Sequence, residues 1–438
     1  MDALIMGGQL ILALAIIVTL HEYGHFLAAR AFGIRVEKFF LFFDAWGVKL
    51  FSIKKGDTEY GVGWLPLGGY VKISGMIDES MDKEAMKEPP KPYEFRSKPA
   101  WQRLIVMLGG VIVNFFLGIL ILAFITLHYD KAYLPVEEVD TTGIYSYDLG
   151  EQVGFQTGDK ILAVNGEAVD RFSDVLSTSN LMGATITVER NGQEINVIIP
   201  DTFYKNYSKK EKPFFITADN FSFTVDSVLP HFPARDAGVK KGDKIIAVND
   251  TPVTAFGDFR RMVKAKKGEP IVVRIVRDED TVELDIVVDS TGIVGLMPDN
   301  PYHLREYTFI EGLKYGWHDG VSILAANMKG FGKIFSGQEK ATESLQGPIG
   351  MATFFGSTWN WHRFWYLTAM ISLILAFMNL LPIPALDGGH AMFLTFELIS
   401  GKPLSDKFME RAQMIGMFIL LALMVFVIFN DIWKHFIR

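Results

Sequence analysis

The sequence predicts a membrane protein: an α-helical four-transmembrane core with a membrane-associated β-hairpin/sheet, plus two α+β domains outside the membrane. Three observations carry that expectation. Hydrophobic residues, 49% of the 438, gather into four runs near the roughly 20 residues a bilayer requires. Lys and Arg concentrate between the first two runs, and the long segment between the second and third runs repeats itself. The net charge of -7 argues against a nucleic-acid partner. The absence of cysteine excludes a disulfide frame and a thiolate metal site, and it suits an envelope protein.

Residues 1–30 form the first span. It carries Asp2 and no basic residue before Arg30, so it reads as a retained helix rather than a signal peptide, which needs a basic start and an uninterrupted apolar centre. Residues 31–103 hold Arg35, Lys38, Lys49, Lys54, Lys55, Lys72, Lys83, Lys87, Lys91, Arg96, Lys98 and Arg103. The positive-inside rule places this segment in the cytoplasm. Within it, "EYGVGWLPLGGYVKISG" (59–75) reads as strands bounded by Gly68 and Gly69, apolar enough to dip into the membrane. Residues 104–127 then run outward and 364–387 return inward. Residues 388–413, with Lys402, Lys407 and Arg411, form a cytoplasmic loop, and 414–433 run out again. Both termini fall outside, which leaves Lys434 and Arg438 as a mild exception to the charge rule.

In the outer segment "GFQTGDKILAVNGEAV" (154–169) aligns with "GVKKGDKIIAVNDTPV" (238–253), Gly158 matching Gly242. Each copy reads as a Gly-Asp turn, an alternating strand, an Asn-led hairpin turn, a helical stretch and two more strands. The period is that of a duplicated domain, 128–215 and 216–298. Each copy resembles a PDZ domain, a type that accepts an extended peptide on a sheet edge; a plain spacer is the other use open to it. In 299–363, Ile310, Leu313, Trp317, Val321, Leu324, Met328, Phe331 and Phe335 recur at helical spacing. That amphipathic helix suits either the outer membrane surface or packing on the repeats.

The first span ends in "HEYGH". On a helix, H-E-x-x-H puts His21 and His25 on one face with Glu22 beside them. Ionisable side chains in a membrane cost roughly 2.5–3.5 kcal/mol each on insertion scales, and two neutral imidazoles sharing a Zn²⁺ offset that cost. Zinc lowers the pKa of water to about 7, and Glu22 is placed to take the proton. A catalytic zinc usually has three protein ligands. The third is sought at matching depth in the third span, which ends "AFMNLLPIPALDGGH". At about 1.5 Å per residue, His21 lies about 27 Å from Ala3 and Asp387 about 33 Å from Trp365. Asp387 is therefore the expected ligand, with His390 as a rival lying further out.

A helical membrane substrate must be unwound before it is cut. Asn379 offers an amide to a substrate backbone. Pro382 and Pro384 free carbonyls one turn back, and broken helix is tolerated where it lines a cavity. Gly68, Gly69 and Tyr70 could present a strand edge to the substrate from the other side, or could belong to a small hairpin that covers the site.

Taken together, His21-Glu22-Tyr23-Gly24-His25, Pro66-Leu67-Gly68-Gly69-Tyr70, the tandem PDZ-like repeats, Gly347-Pro348-Ile349 and the run from Asn379 to Gly388 resemble the site-2 protease family. The resemblance covers nearly the whole chain in order. It implies an intramembrane zinc metalloendopeptidase, with His21, His25 and Asp387 as ligands and Glu22 as base. Asn379, Pro382 and Pro384 would position the substrate. It implies single-pass membrane protein substrates, namely an anti-sigma factor already trimmed by another protease and remnant signal peptides. It also implies a bacterial inner-membrane location and a size-filtering role for the PDZ pair. Two other functions remain open to the residues alone: a membrane-anchored PDZ scaffold with a structural metal site, and a transporter, since intramembrane ionisable groups also mark ion paths. The latter would ordinarily show an internal membrane repeat.

Overall fold

The computed structural model describes residues 2–66, 68–76, 89–207 and 215–437. Of the residues singled out above, Leu67, Lys83, Lys87 and Arg438 lie outside these. The chain divides into two compact units, one made of Met1–Asp130 with Thr308–Arg438, the other of Lys131–Tyr307.

In the first unit, four helices of the described residues are long and apolar enough to cross a membrane. The long helices are α1 (Asp2–Ala31), α2 (Ala100–Ile125), α3 (Phe309–Phe335), the shorter α4 (Pro348–Phe355), α5 (Trp361–Leu380), α6 (Asp387–Ser400) and α7 (Asp406–Ile432). Helix α2 is central and packs against α1, α3, α5 and α6. Small residues permit this. Gly24 of α1 and Gly109 of α2 lie so close that a Cβ on either would land on the other's backbone, which is the close approach membrane helices achieve with small residues. Gly118 meets Leu373 and Ala369 of α5 in the same way. Along α3, Gly312, Gly316 and Gly320 face Leu127, Ala123 and Ile119 in turn. The descending order shows that α3 runs antiparallel beside α2. Its glycine stripe thus lies along the length of α2 and not across its end.

The third span also differs from expectation. Helix α5 ends at Leu380, and Leu381 is already extended (φ -60°, ψ 143°), as the residue before a proline must be. The chain then doubles back through Pro382, Pro384 and Ala385, whose φ of 82° is a left-handed conformation rarely taken by residues with a Cβ. Gly388 and Gly389 sit against the backbone of Leu380, Leu381 and Ile383, where a side chain would not fit. Asp387 thereby becomes the first residue of α6, and the segment expected as a loop from 388 is helical to Ser400.

Between α1 and α2 lies a four-stranded sheet of β1 (Val36–Leu41), β2 (Lys49–Lys55), β3 (Thr58–Gly63) and β4 (Tyr70–Ile73), ordered β2-β3-β1-β4. The expected hairpin of 59–75 is split, with β1 inserted between β3 and β4, parallel to the first and antiparallel to the second. Phe26 of α1 packs on Phe39 and Tyr60 (ring centroids 5.6 and 6.1 Å apart), so the sheet is attached one residue after His25. β4 forms one edge of the sheet. β2, the other edge, exposes Leu50, Phe51 and Ile53.

The second unit has two separate apolar cores, one around Ile144, Ile161, Ile186 and Phe215, the other around Phe223, Ile245, Val273 and Ile286. The sequence repeat is structural in detail. Strands β5 (Lys160–Val164), β6 (Ala184–Arg190) and β7 (Gln193–Ile199) pair antiparallel, as do β8 (Lys244–Val248), β9 (Pro270–Arg277) and β10 (Asp280–Val287). The register slips at Ile161/Ala163 in one and at Ile245/Ala247 in the other. Asn165 and Asn249 both adopt φ 52°, which asparagine tolerates. Their side chains accept from Thr185 N and Val272 N at 3.0 and 2.9 Å. Each Gly-Asp turn buries its aspartate. Asp159 takes a forked pair of bonds from Arg190 (2.6 and 2.7 Å), and Asp243 takes the same from Arg277 (2.8 and 2.7 Å).

Burial pushes the Asp243 carboxyl up, but the Arg277 guanidinium and the Lys240 N–H outweigh it and hold it below the usual carboxylate range. Its stabilisation is therefore present above the ordinary pKa of about 3.9 and is lost as pH falls through the lower folded value. At neutral pH, Asp243→Asn removes the charge from the forked pair and leaves Arg277 partly open to solvent, a change worth about 1.5 kcal/mol. The expected result is an open population of 216–298 larger by about 10-fold, read by pulse proteolysis or hydrogen exchange on the intact protein.

Candidate metal and catalytic site

The two imidazoles face α2 from one side of α1. Val106, Gly110 and Asn114 of α2, four residues apart, occupy the opposing stripe. Val106 O accepts from His25 Nδ1 at 2.8 Å. Gly110 leaves room for both rings, since a Cβ there would fall 2.5 Å from His21 Cε1 and His25 Nε2. Asn114 places its amide 3.2 Å from His21 Nδ1. The doubled-back 381–386 turn delivers the Asp387 carboxylate to the same point. Asp387 Oδ2 lies 3.2 Å from His21 Nε2 and 3.3 Å from His25 Nε2, and the two nitrogens are 3.2 Å apart.

This triangle suits a metal ion. Ligand bonds of about 2.0–2.1 Å in a tetrahedral arrangement put neighbouring donor atoms about 3.3 Å apart. The contact is not satisfied as ordinary polar pairing either, because Asp387 Oδ2 is buried beside two ring nitrogens yet accepts a hydrogen bond from neither. An anion's lone pair held in that position is costly unless a cation meets it. His21, His25 and Asp387 form a convergent donor set, which does not include His390.

A cavity of about 470 Å³ opens beside the three residues. Its lining includes Glu22, Gly69, Tyr70 and the apolar Met76 and Met107. Gly69 packs between β1 and α1, where a Cβ would come 2.8 Å from Phe40 O, 3.0 Å from Val18 Cγ1 and 3.5 Å from Glu22 Cγ. Tyr70 is stacked between Phe40 and Phe43, with centroids 5.5 and 6.0 Å away. Its hydroxyl donates to Asp44 at 2.8 Å, and Lys38 Nζ donates to both Asp44 and the Tyr70 hydroxyl at 3.2 Å. Burial raises the Asp44 carboxyl, but the bonds from Tyr70 and Lys38 prevail and keep it below its ordinary value. This cluster ties the loop after β1 to β4 and so holds the β4 edge along the cavity.

Of the other residues singled out from the sequence, Asn379 reaches the centre, with Nδ2 3.3 Å from His21 Nε2. Pro382 and Pro384 shape the turn before Asp387 and are absent from the cavity lining. Gly68 packs on the Phe43 ring, at φ 152°. Gly109, Gly110, Asn114, Lys38 and Asp44 join the site without having stood out in the sequence as parts of it. Two signals were present: a Gly-Gly pair inside an apolar span marks close helix packing, and an asparagine at membrane depth marks function.

The model of peptidase family M50 matches residues 9–423 of the chain. The regulator of sigma E protease of Haemophilus influenzae is 32% identical over 97% of this chain and 98% of its own length. The regulator of sigma-E protease RseP of Escherichia coli is 29% identical over 96% of this chain and 97% of its own length. A relative from Vibrio cholerae, 28% identical over 96% of this chain and 97% of its own length, carries "zinc metalloprotease" in its name.

Proposed function

This chain belongs to peptidase family M50 and is a zinc metalloprotease of the site-2 type, and on that premise we propose that it hydrolyses peptide bonds inside the transmembrane segments of single-pass membrane proteins. One observation carries the proposal: the His21, His25 and Asp387 donor atoms converge beside Glu22 in a cavity walled by a strand edge. His21, His25 and Asp387 would hold the zinc. When bound, it supplies Lewis acidity to the scissile carbonyl and to water.

Glu22 takes the proton of the attacking water and passes it to the departing amine. Asn379 holds a substrate carbonyl from the α5 side. Pro382 and Pro384 keep 381–386 out of a helix, so its backbone groups are available to an extended chain. Across the cavity, Gly68, Gly69 and Tyr70 lead into β4. Among the described strands β4 pairs only with β1, and its other edge can accept a substrate strand. An unwound segment needs such a partner, because its peptide groups have no water to bond to.

The full-length likeness to proteases named as regulators of sigma E supports an anti-sigma factor, trimmed first by another protease, as substrate, together with remnant signal peptides. The site of action is the bacterial inner membrane, with the termini and the duplicated unit on the outer side and Glu22 toward the cytoplasm. The duplicated unit acts as two PDZ-like domains forming a size filter that excludes substrates with intact outer domains.

The test is cleavage in proteoliposomes of a single-pass protein with a short or a bulky outer domain, with the cut mapped by mass spectrometry. Cuts inside the segment, restricted to the short form, are expected. Cuts confined to soluble regions would end the proposal. In the same assay Gly69→Ala, which presses a methyl onto Phe40 O of β1 and toward Val18 and Glu22 and so displaces the entry to β4, is expected to slow cleavage by about 10-fold or more with zinc retained.

A further inference from the structure

We propose that Asn114 is a positioning residue that fixes the tautomer of His21, a role that rests on the zinc assignment above. A zinc-bound imidazole usually donates its second N–H to an oxygen acceptor, which orients the ring and makes the ligand more basic. His25 has that acceptor in Val106 O. Among the described residues, His21 Nδ1 meets the Asn114 amide, 3.2 Å away.

Asn114 is 1% exposed. With its nitrogen toward the ring, its Oδ1 is buried without any hydrogen-bond partner. In that orientation the amide would donate to a bare Nδ1, and the ring proton would sit on Nε2, aimed at His25 Nε2 where the metal belongs. A half-turn of the amide exchanges its oxygen and nitrogen. Oδ1 then accepts from Nδ1–H, the orphaned oxygen gains a donor, and Nε2 keeps its lone pair for the metal. The backbone of Asn114 is itself held, since its carbonyl accepts from Ser372 Oγ of α5 at 2.8 Å.

Zinc affinity of the purified full-length chain, measured by chelator competition, tests this. Asn114→Leu removes the acceptor at similar volume, and a 10–100-fold weaker affinity is expected. Asn114→Asp restores an acceptor and should bind within a few-fold of the original chain, or tighter. The ¹⁵N spectrum of labelled His21 should show a protonated Nδ1 in the original chain and in Asn114→Asp, and a changed signal in Asn114→Leu. Unchanged affinity in Asn114→Leu, or an Asn114→Asp as weak as Asn114→Leu, overturns the role. If the original chain binds no zinc, the metal assignment itself fails.

Discussion

Replacing Glu22 by Gln is expected to leave zinc content at the level of the original chain and to lower cleavage of a single-pass substrate by about 10²–10⁴-fold, the usual contribution of a positioned base. Gln keeps the volume and a hydrogen-bonding head group but cannot take a proton. Glu22 lines the cavity next to His21 and His25, whereas the convergent donor atoms belong to His21, His25 and Asp387. Metal retention and turnover should therefore separate. Zinc is measured by atomic absorption and cleavage by product accumulation at saturating substrate. Full activity in the variant would remove the base assignment. Loss of zinc would instead make Glu22 a ligand.

Gly110→Ala should strike the imidazole pair directly. The added carbon would sit 2.5 Å from atoms of both imidazoles, and no real Cβ tolerates that separation. Either the rings swing away from Asp387 or α1 and α2 move apart at the Gly24–Gly109 contact. Overpacking of this kind costs typically about 1–3 kcal/mol, and displaced rings should weaken zinc binding by about 100-fold or more. Gly118→Ala is the comparison. It overpacks the same helix against Leu373 and Ala369 without touching the rings, and folded protein carrying it should bind zinc normally. Equal zinc affinity in both variants would show that Gly110 serves only helix packing.

His21, Glu22 and His25 are legible in the sequence because their spacing matches one helical turn and their polarity contradicts the apolar run around them. Asp387 is legible through depth alone, since two spans running in the same direction carry polar residues at similar height. The duplicated unit is legible because Gly-Asp, the alternating strand and the Asn turn recur together, each tied to backbone geometry. Other features depend on tertiary pairing that no local pattern encodes. β1 reads as a continuation of the chain leaving α1, and only its insertion between β3 and β4 makes β4 an edge. The end of α5 is marked by two prolines, but the reversal that turns Asp387 into a helix start needs Ala385 in a left-handed conformation and the close packing of Gly388 and Gly389. Asn114 and Gly110 lie in an apolar helix, and their importance is set by what faces them.

The donor triangle spans residues 21 to 387 of 438, and that order has a consequence during synthesis. A ribosome adding about 5–20 residues per second delivers the carboxylate about 20–70 s after the imidazoles. Throughout that interval the nascent chain carries an incomplete set of donors, and Lys131–Tyr307 is synthesised in full before the set can close.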